Sequence, residues 1–96
     1  MANNSNIELK NNSYIVRGEL DFTNVNELWK QSLPLLAKET QLNFDFTHVG
    51  ASNSAGIALL IEWIKYANKQ NKKIHFVNIP AQLQSIINVS GIENIL

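Results

Sequence analysis

Ser54 is the side chain best placed to do chemistry in this sequence. It stands in the stretch NSAGIALLIEWI, from Asn53 to Ile64, which opens on short polar residues and turns almost wholly apolar. Ser54, followed by Ala55, Gly56 and Ile57, fits a helix start. As an N-cap its hydroxyl would satisfy an orphan amide, worth about 1 kcal/mol. The same place attracts anions, because free backbone N–H groups and the positive end of the helix dipole converge there. Gly56 costs about 1 kcal/mol of helix propensity against alanine, so either a close approach or local crowding must account for it.

Catalysis is the harder reading. Ser54 is not set in a G-x-S-x-G elbow. His48 lies six residues upstream, at a strand end. No third residue presents itself to orient a Ser–His pair, and a partly exposed loop histidine is the simpler assignment. His75 falls mid-strand, on the face opposite Ile74 and Phe76. The two histidines are too far apart for a local metal motif, and the chain has no cysteine to support one. A phosphate loop of the G-x-x-x-x-G-K-S/T kind is missing. The expectation is a protein with no metal, no cofactor and no turnover of its own.

The elements that hold these residues read as alternating strands and helices. Strands are expected near Ile7–Leu9, Tyr14–Gly18, Leu42–Phe46 and Ile74–Val77. Helices are expected near Val25–Lys38, Ala55–Gln70 and Ala81–Val89. The dipeptide Asn11-Asn12 marks a hairpin turn between the first two strands. Thr23 reads as the N-cap of the first helix, Pro34 as a kink or a new turn within it, and Gly50 as the end of the third strand. Pro80 suits the first turn of the last helix and Gly91 its C-cap. Asp45 alternates with Phe44 and Phe46, which implies a solvated or capping carboxylate. The central helix carries two apolar stripes, Ile57/Leu60/Ile61/Ile64 and Leu59/Trp63/Tyr66. One stripe suffices to cover a sheet, so the second means deeper burial or a partner. On this spacing Trp29 is a core residue and Trp63 the candidate aromatic anchor of an interface. The pattern predicts one α/β domain over residues 1–96, with a mixed sheet of about four strands, three to four helices and disorder over residues 1–5.

Composition narrows the partners. With 96 residues, one core needs no covalent staple. Eight basic residues balance eight acidic ones, which argues against nucleic acid and against a polybasic membrane anchor. The N-terminal stretch lacks the apolar segment of a signal peptide, and no apolar run approaches the roughly 20 residues of a membrane span. Together with the missing cysteines, this predicts a cytoplasmic domain that inserts into no membrane directly.

Two segments, GELDFTNVNELW and FDFTHVGASNSAGIALLIEW, resemble the signature of STAS domains, the fold of sulphate transporters and anti-sigma-factor antagonists. The resemblance runs from about Ser13 to Leu96. It is closest to the MlaB type, the STAS subunit of a phospholipid ABC transporter of Gram-negative bacteria, through AGIALLIEWI, ANKQNKKIHF and the terminal GIENIL. It implies that Ser54 is the partner-contact or phosphorylated position, with Asn53, Ala55, Gly56, Ile57, Leu59 and Trp63 as interface and Asp21, Thr23 and Ser52 beside it. The expected partner is the transporter ATPase and, through it, the permease, at the cytoplasmic face of the inner membrane, in the service of outer-membrane lipid asymmetry. The alternative is an anti-sigma-factor antagonist switched by phosphorylation of Ser54; a nucleotide-binding regulatory domain is the lesser one. Asn53 replaces the family's usual Asp before the hydroxyl residue, which weakens the phosphoswitch more than the docking role.

Overall fold

Two adjacent asparagines set the first turn of the chain. Asn11 and Asn12 both adopt positive φ (51° and 66°), the signature of a two-residue type I′ hairpin turn, which asparagine tolerates well. A computed structural model describes residues 5–90. The turn joins β1 (Asn6–Lys10) to β2 (Ser13–Leu20), and α1 (Val25–Leu36), β3 (Gln41–Ser52), α2 (Ser54–Lys69), β4 (Lys73–Val77) and α3 (Ala81–Ser90) follow. The four strands form one mixed sheet in the order β1-β2-β3-β4. β1 and β2 are antiparallel, while β2/β3 and β3/β4 are parallel. Both parallel crossovers step the same way across the sheet, so their helices lie on one face.

That face is the core. Tyr14, Val16, Leu20, Leu42, Phe44 and Phe46 alternate inward on β2 and β3 and are fully or almost fully buried under Leu28, Leu60, Trp63, Leu83 and Ile87 from the helices. Of the residues between them, Ile15, Arg17, Gly18, Asn43 and Asp45 are half-buried and Glu19 is exposed, as are Thr47 and His48 further along β3 and His75 on β4. Pro34 lies inside α1, which ends two residues later at Leu36. There the Lys72 ammonium donates to the Leu36 carbonyl at 2.7 Å, satisfying one of the helix's terminal acceptors. Gln84 donates its amide to the Pro80 carbonyl at 2.9 Å, so Pro80 stands just ahead of α3. Gly91 and the terminal GIENIL lie outside the described residues, as do residues 1–4. Ser5, expected to be disordered, is buried, and its hydroxyl donates to the Glu19 carbonyl at 2.9 Å.

The third strand corrects the expectation most. It does not end before Gly50 but runs to Ser52, because β2 continues beside it through the pairs Gly18↔Val49 and Leu20↔Ser52. Two register shifts, between Ile15 and Arg17 and between Gly18 and Leu20, absorb the extra length. Gly18 takes φ +95°, and a Cβ there would stand 2.6 Å from the Ser5 backbone. Only glycine meets both demands.

Tyr14 gives the core a pH limit. Its ring is fully buried and its hydroxyl donates to the Leu35 carbonyl at 2.9 Å. Burial, with the Glu39 charge adding to it, pushes the phenol up to about 12. The unfolded phenol titrates near 10. Its neutral form is therefore favoured in the fold, and that stability is intact below pH 10 and lost between about pH 10 and 12, up to roughly 2–3 kcal/mol. Urea denaturation at pH 8 and pH 11 should show a steeper loss for the wild type than for Tyr14→Phe. Equal losses would contradict this account.

Candidate docking edge at the start of the second helix

The carboxyl ends of β2 and β3 meet at one edge of the sheet. The Asn53 amide donates to the Leu20 carbonyl at 3.1 Å and ties the two strand ends together. The chain then turns into α2. Asn53 keeps an extended backbone (φ −130°, ψ −164°), and its side-chain oxygen accepts the Ala55 amide at 2.8 Å. The N-cap is therefore Asn53, not Ser54. Ser54 is already helical and lies exposed on the first turn, so its hydroxyl is not needed to start the helix. A carboxamide one residue earlier reaches the orphan amide from the conformation a cap requires.

The β2–α1 turn repeats the lesson. Thr23 was the expected cap, but the N-cap is Asn24. Thr23 instead donates its amide (2.9 Å) and hydroxyl (2.6 Å) to the Asp21 carboxylate. Asn24 is buried and accepts the Asp21 amide at 3.0 Å, while the Asn24 and Val25 amides donate to the Asp21 carbonyl at 3.2 and 3.1 Å. The Thr23 hydroxyl holds the Asp21 carboxyl below its ordinary range, so it stays charged. Asp21, Ser52 and Asn53 line one shallow hollow with Glu19, Leu20 and Ala51. Ser52 donates its amide to the Gln82 side chain of α3 at 3.1 Å, while its hydroxyl oxygen is buried and has no partner among the described residues.

The interface expected along α2 divides in two. Asn53 and Ser54 are exposed, whereas Ala55, Gly56, Ile57, Leu59 and Trp63 are buried and belong to the core. A Cβ on Gly56 would stand 3.1 Å from Leu83 and 3.2 Å from Leu20, so this glycine admits β2 and α3 rather than a partner. Trp63 is fully buried and is no surface anchor. It stacks on Phe44 at 4.2 Å between ring centroids, and its indole N–H donates to the Ser32 hydroxyl at 3.0 Å. That hydroxyl donates in turn to the Trp29 carbonyl at 2.7 Å. Trp29, expected in the core, packs against it but is only half-buried, and its open side lines a hollow between the helices with Val25, Asn26, Ala58, Leu59 and Glu62. The cause is that α2 packs against both α1 and α3, so its second stripe is covered from within the chain.

The remaining candidates stand apart. His48 is exposed on β3 opposite Arg17, and His75 is exposed on β4. Asp45 is a structural acceptor: it takes the Thr47 amide and hydroxyl at 2.9 and 2.6 Å and the Asn78 side chain at 3.1 Å, and these bonds hold its carboxyl low. Among the described residues no three His, Asp or Glu side chains cluster as a metal site would require. One further residue at the edge carries no periodic signal in the sequence. Phe22, between Asp21 and Thr23, is 71% exposed. Its signal in the sequence is the tripeptide Asp-Phe-Thr, which recurs at Asp45–Thr47 with its phenylalanine in the core.

No curated protein matches the sequence. Among solved structures, the fold is similar to that of the anti-sigma factor antagonist SpoIIAA in its unphosphorylated form, with a TM-score of 0.72 over 94% of this chain and 83% of that one. At 16% identity this likeness establishes the shared architecture alone. The family model of the MlaB STAS domain matches residues 14–96, from the first core residue of β2 onward. With a one-sided mixed sheet of four strands, three helices and an exposed serine on the first turn of the central helix, the chain belongs to the STAS domain family, in its MlaB-type branch.

Proposed function

We propose that this protein is a non-catalytic subunit that docks on the ATPase of a phospholipid-transporting ABC complex and stabilises its active assembly. The observation that carries this reading is the exposed Asn53–Ser54 pair, raised on a rigid edge where two strand ends and two helix starts are hydrogen-bonded together. Such an edge presents a fixed shape at little entropic cost, which favours protein recognition over chemistry. The half-buried Trp29 beside Ala58 extends the surface along the α1–α2 hollow and supplies the aromatic contact first expected of Trp63. The MlaB-type family match supports an ATPase as the partner. On this reading the protein is cytoplasmic and is held at the inner membrane through the complex, where it contributes to outer-membrane lipid asymmetry.

A second reading, the anti-sigma-factor antagonist, draws on the exposure of Ser54, which leaves its hydroxyl accessible to a kinase. Against it stands Asn53, whose carboxamide is committed to capping α2 and brings no negative charge beside the hydroxyl. Co-purification with a tagged chromosomal copy, followed by mass spectrometry, separates the two. An ABC ATPase with its permease is the expected catch; a protein kinase acting on anti-sigma systems, in place of the transporter, would overturn the docking reading.

A further inference from the structure

The loop that joins β2 to α1 spends five hydrogen bonds to hold one phenylalanine in water. Thr23 and Asn24 close the turn on Asp21 from both sides, through the carboxylate, the amide and the carbonyl. None of these bonds involves the Phe22 side chain, which is 71% exposed. The twin tripeptide Asp45–Thr47 makes the same two bonds from threonine to aspartate, yet its Phe46 is 1% exposed and stacks near Trp63. The turn therefore needs Asp and Thr, and the fold makes no use of an aromatic ring at position 22. A single exposed apolar residue is ordinary, but a large ring held on a rigid turn beside Ser54's edge is the form an interface anchor takes.

The charge around it is of one sign. The segments that build this edge, residues 18–29, 49–64 and 77–90, contain no lysine or arginine. They carry Glu19 and Glu27, both exposed, the charged Asp21, and Glu62, which Lys65 pairs with at 3.6 Å from the next turn of α2. Glu27 lies in the first turn of α1 and complements that helix's dipole; Glu19 lies on β2, and no helix end accounts for it. Five of the eight basic residues, Lys10, Lys38, Lys69, Lys72 and Lys73, stand at the opposite end, on the β1–β2 hairpin, the helix C-termini and the start of β4. The chain is neutral in sum, with its lysines weighted toward the hairpin end, where Glu39 also stands.

We propose that Phe22 is the aromatic anchor of the docking edge, and that the partner receives it in an apolar pocket rimmed by lysine or arginine. This rests on the reading that the Ser54 edge docks on the transporter ATPase, and it deepens that reading by naming a second contact and the partner's chemistry. Complementary charge would steer encounter, and the ring would set the lifetime of the complex.

The test measures binding of the full chain to the purified ATPase subunit of the same organism's MlaB-type transporter. It compares wild type, Phe22→Ala, the double variant Glu19→Lys/Glu27→Lys and Ser54→Arg, each checked by thermal unfolding. Phe22→Ala should keep its melting temperature to within a few degrees, because the residue is 71% exposed, and should raise Kd about 10–100-fold, the range of an anchoring residue. The double variant should slow association about tenfold or more at low salt, and the wild-type rate should fall as salt is added. If Phe22→Ala binds within twofold of wild type while Ser54→Arg fails to bind, the anchor is overturned and the docking reading stands. A double variant that associates at the wild-type rate overturns the basic rim. If Ser54→Arg also binds like wild type, the docking reading fails, and this inference with it.

Discussion

Trp63→Ala is expected to destabilise the domain by about 3–5 kcal/mol, the usual penalty for deleting a large aromatic side chain from a core. The indole is fully buried, stacked on Phe44 at 4.2 Å and near Phe46 at 6.3 Å. Its loss leaves a cavity between α2 and the sheet and deprives the aromatic cluster of its largest member. The loss also removes the donor that Ser32 accepts at 3.0 Å, although Ser32 still donates to the Trp29 carbonyl. Small domains have about 5–15 kcal/mol in total, so the variant sits near the edge of folding. Trp63→Phe keeps a ring on Phe44 and gives up only part of the volume and the N–H bond, so it should lose less. Urea denaturation followed by circular dichroism reads both. A loss below about 1 kcal/mol for Trp63→Ala, at an unchanged denaturant slope, would contradict the core assignment.

Ser54→Arg should leave the fold intact and break the complex. The capping oxygen belongs to Asn53, so no cap is lost at position 54. A cation in the first helical turn opposes the dipole by about 0.3–1 kcal/mol, which a folded domain tolerates. In a desolvated interface the same charge is unpaired and costs about 2–5 kcal/mol of binding, a factor of tens to thousands in Kd. Ser54→Ala removes only a hydroxyl from an exposed site and should change stability by less than about 0.5 kcal/mol. Asn53→Ala is the variant that should cost about 1 kcal/mol of stability, because its side chain satisfies the Ala55 amide. The antagonist reading orders the binding effects differently: Ser54→Ala would lock the partner-bound form and Ser54→Glu the released one.

The periodic features of the sequence carried most of the fold. Alternation marked the inward faces of β2 and β3, and the 3.6-residue spacing of α1 and α2 was plain from Val25 and Ile57 onward. The ends of elements were less legible, for a physical reason. Backbone geometry decides which of two adjacent polar residues stands at a helix start: at Asn53/Ser54 the asparagine supplies the cap, while at Thr23/Asn24 the asparagine takes the N-cap position but its side chain accepts the Asp21 amide instead. The length of β3 depended on what its neighbour did, and β2 went on pairing through Leu20. The tryptophans show the same limit at the site. Phase along a helix identifies apolar stripes, but which stripe is covered depends on where the other helices lie. α1 covers Trp63 and leaves Trp29 half-buried beside Ala58. The start of α2 could be found from the sequence to within one residue, because helix starts have a chemical signature. The exposure of Phe22 could not, since nothing local distinguishes it from Phe46.

The central claim is that the start of α2 is a protein-docking edge for an ABC-transporter ATPase, and titration of that ATPase with the folded variants tests it most directly. Isothermal titration calorimetry of the ATPase subunit with wild type, Ser54→Ala and Ser54→Arg should give binding for wild type, at most a modest loss for Ser54→Ala, and a Kd raised at least tens of times for Ser54→Arg. A folded Ser54→Arg protein that bound the ATPase with wild-type affinity would contradict the account.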